Sequence, residues 1–161
     1  LVLLRLRRAA TCVQWSPDGS KFAVGGSEGI ISVGTYEQEN DWWACKHIKS
    51  SNLDDSAILA LTWHPSGSLL AVSTLLGNYH LITAALKSDP KLHEEIAWAQ
   101  PGDLATFDKS IGCVSHGSWI HSLAFSPSGN HLAMAAHDGK AYVVDFVTGQ
   151  TSAVAAAGGF P

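Results

Sequence analysis

Charge is scarce in this sequence. Asp, Glu, Lys and Arg together make up 15% of its 161 residues, against about 25% in an ordinary soluble domain. Disordered chains are rich in charge and poor in apolar side chains. Here 46% of the residues are hydrophobic, so a disordered chain is excluded. Basic residues are the scarcer sign: 10 Lys and Arg against 14 Asp and Glu leave a net charge of −4. Proteins that grip phosphate backbones are normally basic. Arg5, Arg7 and Arg8 form the only basic cluster and are too few to make a patch, so nucleic acid is not an expected partner. No apolar run approaches the ~20 residues of a membrane helix, and no membrane partner is expected. The three cysteines, Cys12, Cys45 and Cys113, are odd in number and far apart. That is neither a disulfide framework nor a CxxC metal site, and it points to a reducing compartment. Leu1-Val-Leu-Leu has neither the basic segment nor the cleavage site of a secretory leader.

Motifs for catalysis and ligand binding are missing too. There is no G-x-S-x-G nucleophile elbow. His93-Glu94 opens like the HExxH zinc motif, but position 97 is Ala. The other histidines show no ligand spacing. Gly25-Gly26 ends a strand instead of opening a helix, so it cradles no phosphate. The carboxylate pairs Asp54-Asp55 and Glu94-Glu95 read as solvated loop residues, and Cys113 as a buried, inert thiol. No catalytic residue, metal ligand or cofactor is expected, and no enzymatic activity.

What the sequence does contain is a repeat. Cys12-Val-Gln-Trp-Ser-Pro-Asp-Gly-Ser-Lys-Phe-Ala-Val aligns without gaps with Ala60-Leu-Thr-Trp-His-Pro-Ser-Gly-Ser-Leu-Leu-Ala-Val and with Ser122-Leu-Ala-Phe-Ser-Pro-Ser-Gly-Asn-His-Leu-Ala-Met. Trp15, Trp63 and Phe125 share one column, and Pro17, Pro65 and Pro127 another. A second glycine follows each proline by 12 residues: Gly29, Gly77 and Gly139. Before each proline the residues alternate and end in an aromatic, which predicts strands at 11–15 and 58–63. Proline ends the strand because it has no N–H to donate, and Pro-Asp/Ser-Gly is a turn. Second strands are predicted at 22–24, 69–73 and 132–135. Tight hairpins at Glu28-Gly29 and Asp138-Gly139 follow, then third strands at 30–36, 78–83 and 141–146. A fourth strand is predicted in the first repeat, at 42–48.

Short antiparallel strands at this period predict an all-β protein of propeller type. The prolines are 48 and then 62 residues apart, near the ~40–45 residues of a WD40 repeat with an insertion in the second unit. Residues 89–95 could make one helical turn of it, and 101–103 a loop. The expected division is 1–10 as the end of a preceding blade, 11–49 as a blade, 58–117 as a blade with its insertion in 84–117, and 118–157 as a blade. Propellers have 4–8 blades. Three blades leave two apolar faces uncovered, so a segment of a longer chain is expected.

Three stretches carry a resemblance: Arg8-Ala-Ala-Thr-Cys-Val-Gln-Trp-Ser-Pro, Lys21-Phe-Ala-Val-Gly, and Tyr36-Glu-Gln-Glu-Asn-Asp-Trp-Trp-Ala-Cys-Lys-His-Ile-Lys. They closely resemble the WD40 subunit of the actin-related protein 2/3 complex, and Leu61-Thr-Trp-His-Pro and Trp119-Ile-His-Ser-Leu-Ala-Phe-Ser also fit. The resemblance is poor over 75–109. It implies a seven-bladed WD40-type β-propeller with about three blades in this chain. It also implies a non-catalytic scaffold in the cytoplasm, at the actin cytoskeleton. The implied partners are the other subunits of that complex, the actin filament and nucleation-promoting factors. The ordinary Gly-His and Trp-Asp dipeptides of WD40 repeats are missing, and Val144-Asp145-Phe146 comes nearest to the latter. A generic WD40 adaptor for peptides or other proteins is the alternative, and a propeller enzyme a third reading.

For site residues, Trp42 and Trp43 lie on the predicted outer strand, where neighbouring side chains point to opposite faces. Both could simply pack against adjacent blades. Otherwise one Trp, with Lys46, His47 and Lys49, makes a partner contact on the rim, since interfaces favour Trp and a polar margin. Trp15, Trp63 and Phe125 are expected in the core, and His121 and His137 are expected to hydrogen-bond within blades.

Overall fold

The computed structural model describes residues 9–49, 53, 55–86, 96–99, 104 and 106–154. The helical turn expected at 89–95, the loop at 101–103 and residues 1–8 of the blade end expected at 1–10 lie outside them, and Ala10 belongs to the first strand of the first sheet. The described residues form 12 strands and no α-helix. The strands are β1 (Ala10–Trp15), β2 (Lys21–Gly26), β3 (Ile31–Glu37), β4 (Trp42–Ile48), β5 (Ile58–Trp63), β6 (Leu69–Thr74), β7 (Asn78–Thr83), β8 (Ser110–Ser115), β9 (Ile120–Phe125), β10 (His131–Ala136), β11 (Ala141–Asp145) and β12 (Gln150–Val154). They make three four-stranded antiparallel meanders: β1 to β4, β5 to β8 and β9 to β12. Two of the fourth strands, β8 and β12, carry no readable pattern. β8 has Gly112 at its middle, and β12 is exposed throughout.

The sequence repeat is a repeat of turn chemistry. After β1, β5 and β9 the Pro-x-Gly turn closes through Gly19, Gly67 and Gly129 N–H groups that donate to the carbonyls of Ser16, His64 and Ser126 at 2.8–2.9 Å. These glycines have φ of 70–73°, a left-handed conformation in which a Cβ is costly. Each first strand also carries a bulge at the same place, at Thr11, Leu59 and His121.

The first strands lie side by side, β1 against β5 and β5 against β9, so the sheets fan out with β4, β8 and β12 at the rim. Alternation then sorts the side chains. Ile31, Val33 and Ile48 of the first sheet meet Ile58, Leu70, Val72 and Ile82 of the second in one core. Leu69, Tyr79 and Leu81 face the other way and meet Ile120, Leu132 and Met134 of the third sheet in another. The second sheet is thus covered on both faces, and every residue of β6 is buried.

The recurring aromatics follow the same geometry, with one departure from expectation. Trp63 is 4% exposed and rests on the first sheet. Its indole N–H donates to the Gln14 carbonyl at 3.1 Å, and its ring lies under the Lys21 ammonium. Phe125 meets the His64 ring of the second sheet edge-on. Trp15 occupies the same column yet is 56% exposed. Trp63 and Phe125 each pack on the unit before their own. No sheet precedes that of Trp15 among the described residues, and its ring meets only Phe22 and Trp43 of its own sheet.

Candidate protein-binding rim

The five candidate residues all lie on or just after β4, the rim strand of the first sheet. Pairing with β3 sets where they point. Glu37, Thr35, Val33 and Ile31 stand opposite Trp42, Ala44, Lys46 and Ile48, the side that turns toward the second sheet. Tyr36, Gly34 and Ser32 stand opposite Trp43, Cys45 and His47, the side that turns away from it.

Trp43 is taken up by the fold. Its ring lies 5.2–5.7 Å from those of Phe22, Tyr36 and Trp15 at tilted and edge-on angles, arrangements in which ring edge meets ring face. His47 is engaged as well, with Nδ1 2.7 Å from the hydroxyl of buried Ser32. Lys46 places its ammonium 5.5 Å from the centre of the Phe107 ring, a cation–π contact. The Lys49 backbone N–H donates to the Asp108 carboxylate at 3.2 Å. Lys46 and Lys49 therefore bind the rim of the first sheet to the 106–109 segment of the second.

Trp42 is different. It is 59% exposed, and its orientation is built in. The indole N–H donates to Glu37 Oε2 at 3.0 Å, and Asn40 Nδ2 donates to the same oxygen at 3.1 Å. These two hydrogen bonds, that of Trp42 first, hold the Glu37 carboxyl below its ordinary range. The Tyr36 hydroxyl donates to Asp41, which turns the hairpin with φ of 53°, and this bond raises the tyrosine pKa. Beside the hairpin an open cleft of about 660 Å³ is lined by Lys21, Thr35, Glu37, Glu39, Asn40 and, from the second sheet, Leu86. At ~3.3 Å per residue, Trp42 and Lys49 are roughly 20 Å apart, so the five candidates do not converge on one spot. Trp42 with Glu37 and Asn40 forms one end of the strand, His47 and Lys49 the other.

Glu37 and Asn40 are the residues that sequence reasoning passed over. The turn at 38–41 places Glu37 directly opposite Trp42, and that pairing was their only signal. The His121–His137 hydrogen bond, 3.0 Å between Nε2 and Nδ1, lies within the third sheet as expected. Cys113 departs from expectation: it is exposed, not buried, because β8 is the edge strand of its sheet. Among the described residues no group of three or more His, Cys, Asp or Glu is arranged to hold a metal ion. The chemistry on offer at the rim is that of contact: an aromatic side chain held in place beside carboxylates and an amide.

Four-stranded antiparallel sheets, joined by the same turns and fanned about their first strands, are the blades of a WD40-type β-propeller. The family model described as WD domain, G-beta repeat matches residues 7–33 and 107–145. The β-propeller domain of Cps50 (Swd1) from Myceliophteria thermophila superposes with a TM-score of 0.62 over 92% of this chain and 39% of its own, at 15% identity. That likeness concerns the fold. The sequence is similar in particular to actin-related protein 2/3 complex subunit 1. It is 41% identical to subunit 1A-B of Xenopus laevis over 145 residues, which is 90% of this chain and 39% of the relative. It is 44% identical to subunit 1 of Schizosaccharomyces pombe over 138 residues, 86% of this chain and 35% of the relative. Against subunit 1 of Saccharomyces cerevisiae the identity is 42% over 147 residues, 91% and 37%. The chain spans less than two fifths of the length of each of these relatives.

Proposed function

We propose that this chain works as part of a non-catalytic scaffold subunit of an actin-related protein 2/3 complex, supporting nucleation of branched actin filaments through protein–protein contacts. Identity of 41% sustained over 145 residues to a protein of that name carries the reading. The rim supports it physically. Rigid sheets hold Trp42 outward beside Glu37 and Asn40, and a pre-oriented aromatic with a polar margin is what anchors a protein interface. The partners on this reading are the other subunits, the actin filament and nucleation-promoting factors, in the cytoplasm at the actin cytoskeleton. The contact residues are Trp42 first, with Trp43, Lys46, His47 and Lys49 supporting the strand that presents it.

The test is affinity purification of the native protein from its source, with mass spectrometry of what co-elutes. Two actin-related proteins and several small subunits in equal stoichiometry are expected. Elution alone or with unrelated proteins would leave the adaptor reading in its place. The same purification with Trp42→Ala should lose partner subunits by at least about tenfold, the scale of an interface anchor. Its melting temperature should hardly move, because an exposed side chain contributes within roughly 0.5 kcal/mol. Trp43→Ala should do the reverse and lower the melting temperature.

A further inference from the structure

The second sheet holds a feature that plays no part in the rim contact. In the β7–β8 pair His80 stands directly opposite Cys113, and Nε2 lies 3.9 Å from Sγ. The register fixes the partnership. His80 is 2% exposed and packed within the sheet, so its ring cannot swing away. Cys113 is exposed, on an edge strand whose outer end is open to solvent at Val114 and Ser115. An accessible sulfur is thus fixed beside an immobilised imidazole.

We propose that Cys113 is a site of reversible thiol modification, taken by a small disulfide of the glutathione class with His80 as the positioning residue. Nε2 within reach of Sγ can take the S–H proton as a base, and an N–H donated from Nε2 to the sulfur anion stabilises the nucleophilic thiolate. The thiolate attacks one sulfur of the small disulfide. A new S–S bond forms to Cys113 as the old S–S bond breaks. The departing thiolate is the reduced product and takes up one proton, matching the one that Cys113 gave up, while the Cys113 sulfur is oxidised. No other oxidant is needed. The remaining thiols are poor competitors. Cys12 and Cys45 are both partly buried, and burial pushes both thiols up, away from the reactive form.

Oxidised glutathione is added to the full chain, and peptides carrying each cysteine are followed by mass spectrometry. Cys113 should be modified about tenfold faster than Cys12 or Cys45, and about tenfold faster than the same residue in the chain unfolded by urea. Cys113→Ser should remove the fast reaction. In His80→Gln, with native circular dichroism, the Cys113 rate should fall to the unfolded-chain value. The comparison of folded and unfolded wild type needs no variant. Modification of Cys12 or Cys45 first, or a Cys113 rate no higher folded than unfolded, would overturn the proposal. A His80→Gln rate equal to that of the wild type would overturn the part given to His80.

Discussion

Gly129 shows how one residue can serve both its own turn and the neighbouring blade. It ends the Pro127-Ser128-Gly129 turn with φ of 73°, and its carbonyl accepts hydrogen bonds from His64 Nε2 and from the Trp98 indole, each at 3.2 Å. A Cβ built there would stand 2.1 Å from His64 Nε2. The ring cannot retreat, because Nδ1 sits 2.9 Å from the Ser66 hydroxyl and accepts the Ser66 N–H at 3.1 Å. Gly129→Ala therefore adds left-handed strain to a clash with a held side chain. Urea titration should show a loss of about 2–4 kcal/mol. Gly19→Ala is the control: it has the same conformation but nothing within 4 Å of the added methyl. It should lose only the conformational part, about 1 kcal/mol. Equal losses would mean that the turn alone matters and the contact with the next blade does not.

At the scale of elements, the turn after β5 is locked to the turn after β9 through neutral His64. With Nε2–H donating to Gly129 and Nδ1 accepting from Ser66, a single uncharged tautomer satisfies the ring. Burial, opposed by the Gly129 hydrogen bond, lowers its pKa below 6.5. Protonation is then easier in the unfolded chain, so stability should be full above about pH 6.5 and fall as the pH drops from there to the folded pKa. Urea midpoints measured between pH 7.5 and 5 should show this slope, and His64→Asn should flatten it. The exposed carboxylates act in a separate, lower window. The Tyr142 hydroxyl and the Thr148 N–H hold Asp138 and Asp145 below the ordinary range, and their share is lost only as the pH falls through those lowered values. The first three strands of each sheet were legible in the sequence because proline, turn glycine and alternation each mark a backbone event. β8 and β12 were not, since a rim strand exposed to water needs no apolar alternation. The rim site was half legible. Adjacent tryptophans had to face opposite ways, but nothing local says which is packed. That depends on Phe22 lying over Gly34 on a neighbouring strand, close enough to leave no room for a Cβ there, so that Trp43 closes the cluster and Trp42 is left outside.

Across the whole molecule the two cores share one sheet. The first core joins the first and second sheets, and the second joins the second and third. Stability in such stacked arrays is close to a sum of unit and nearest-neighbour interface terms. The middle sheet cannot open without losing both interfaces, whereas either outer sheet can open at the cost of one. Burial records this order for the third sheet: β6 is buried at all six positions, while β10, its counterpart there, is buried only at alternate ones. β2 of the first sheet is buried at five of six and lies between them. Native-state hydrogen exchange should therefore find the slowest amides in β6 and β7. Those of β2, β3, β10 and β11 should be faster, and those of β12, exposed along its length, among the fastest. Leu70→Ala, which thins the first core, should cost about 2–5 kcal/mol and speed exchange in the first and second sheets. Met134→Ala, in the second core, should cost a similar amount and speed exchange in the second and third sheets, leaving the first unchanged. Equal protection in β10 and β6, or a Met134→Ala effect that spreads evenly to β2 and β3, would show a single cooperative unit in place of stacked blades. In a longer chain that covers Trp15 with a further blade, the first sheet gains its second interface, and β2 and β3 should then approach the protection of β6.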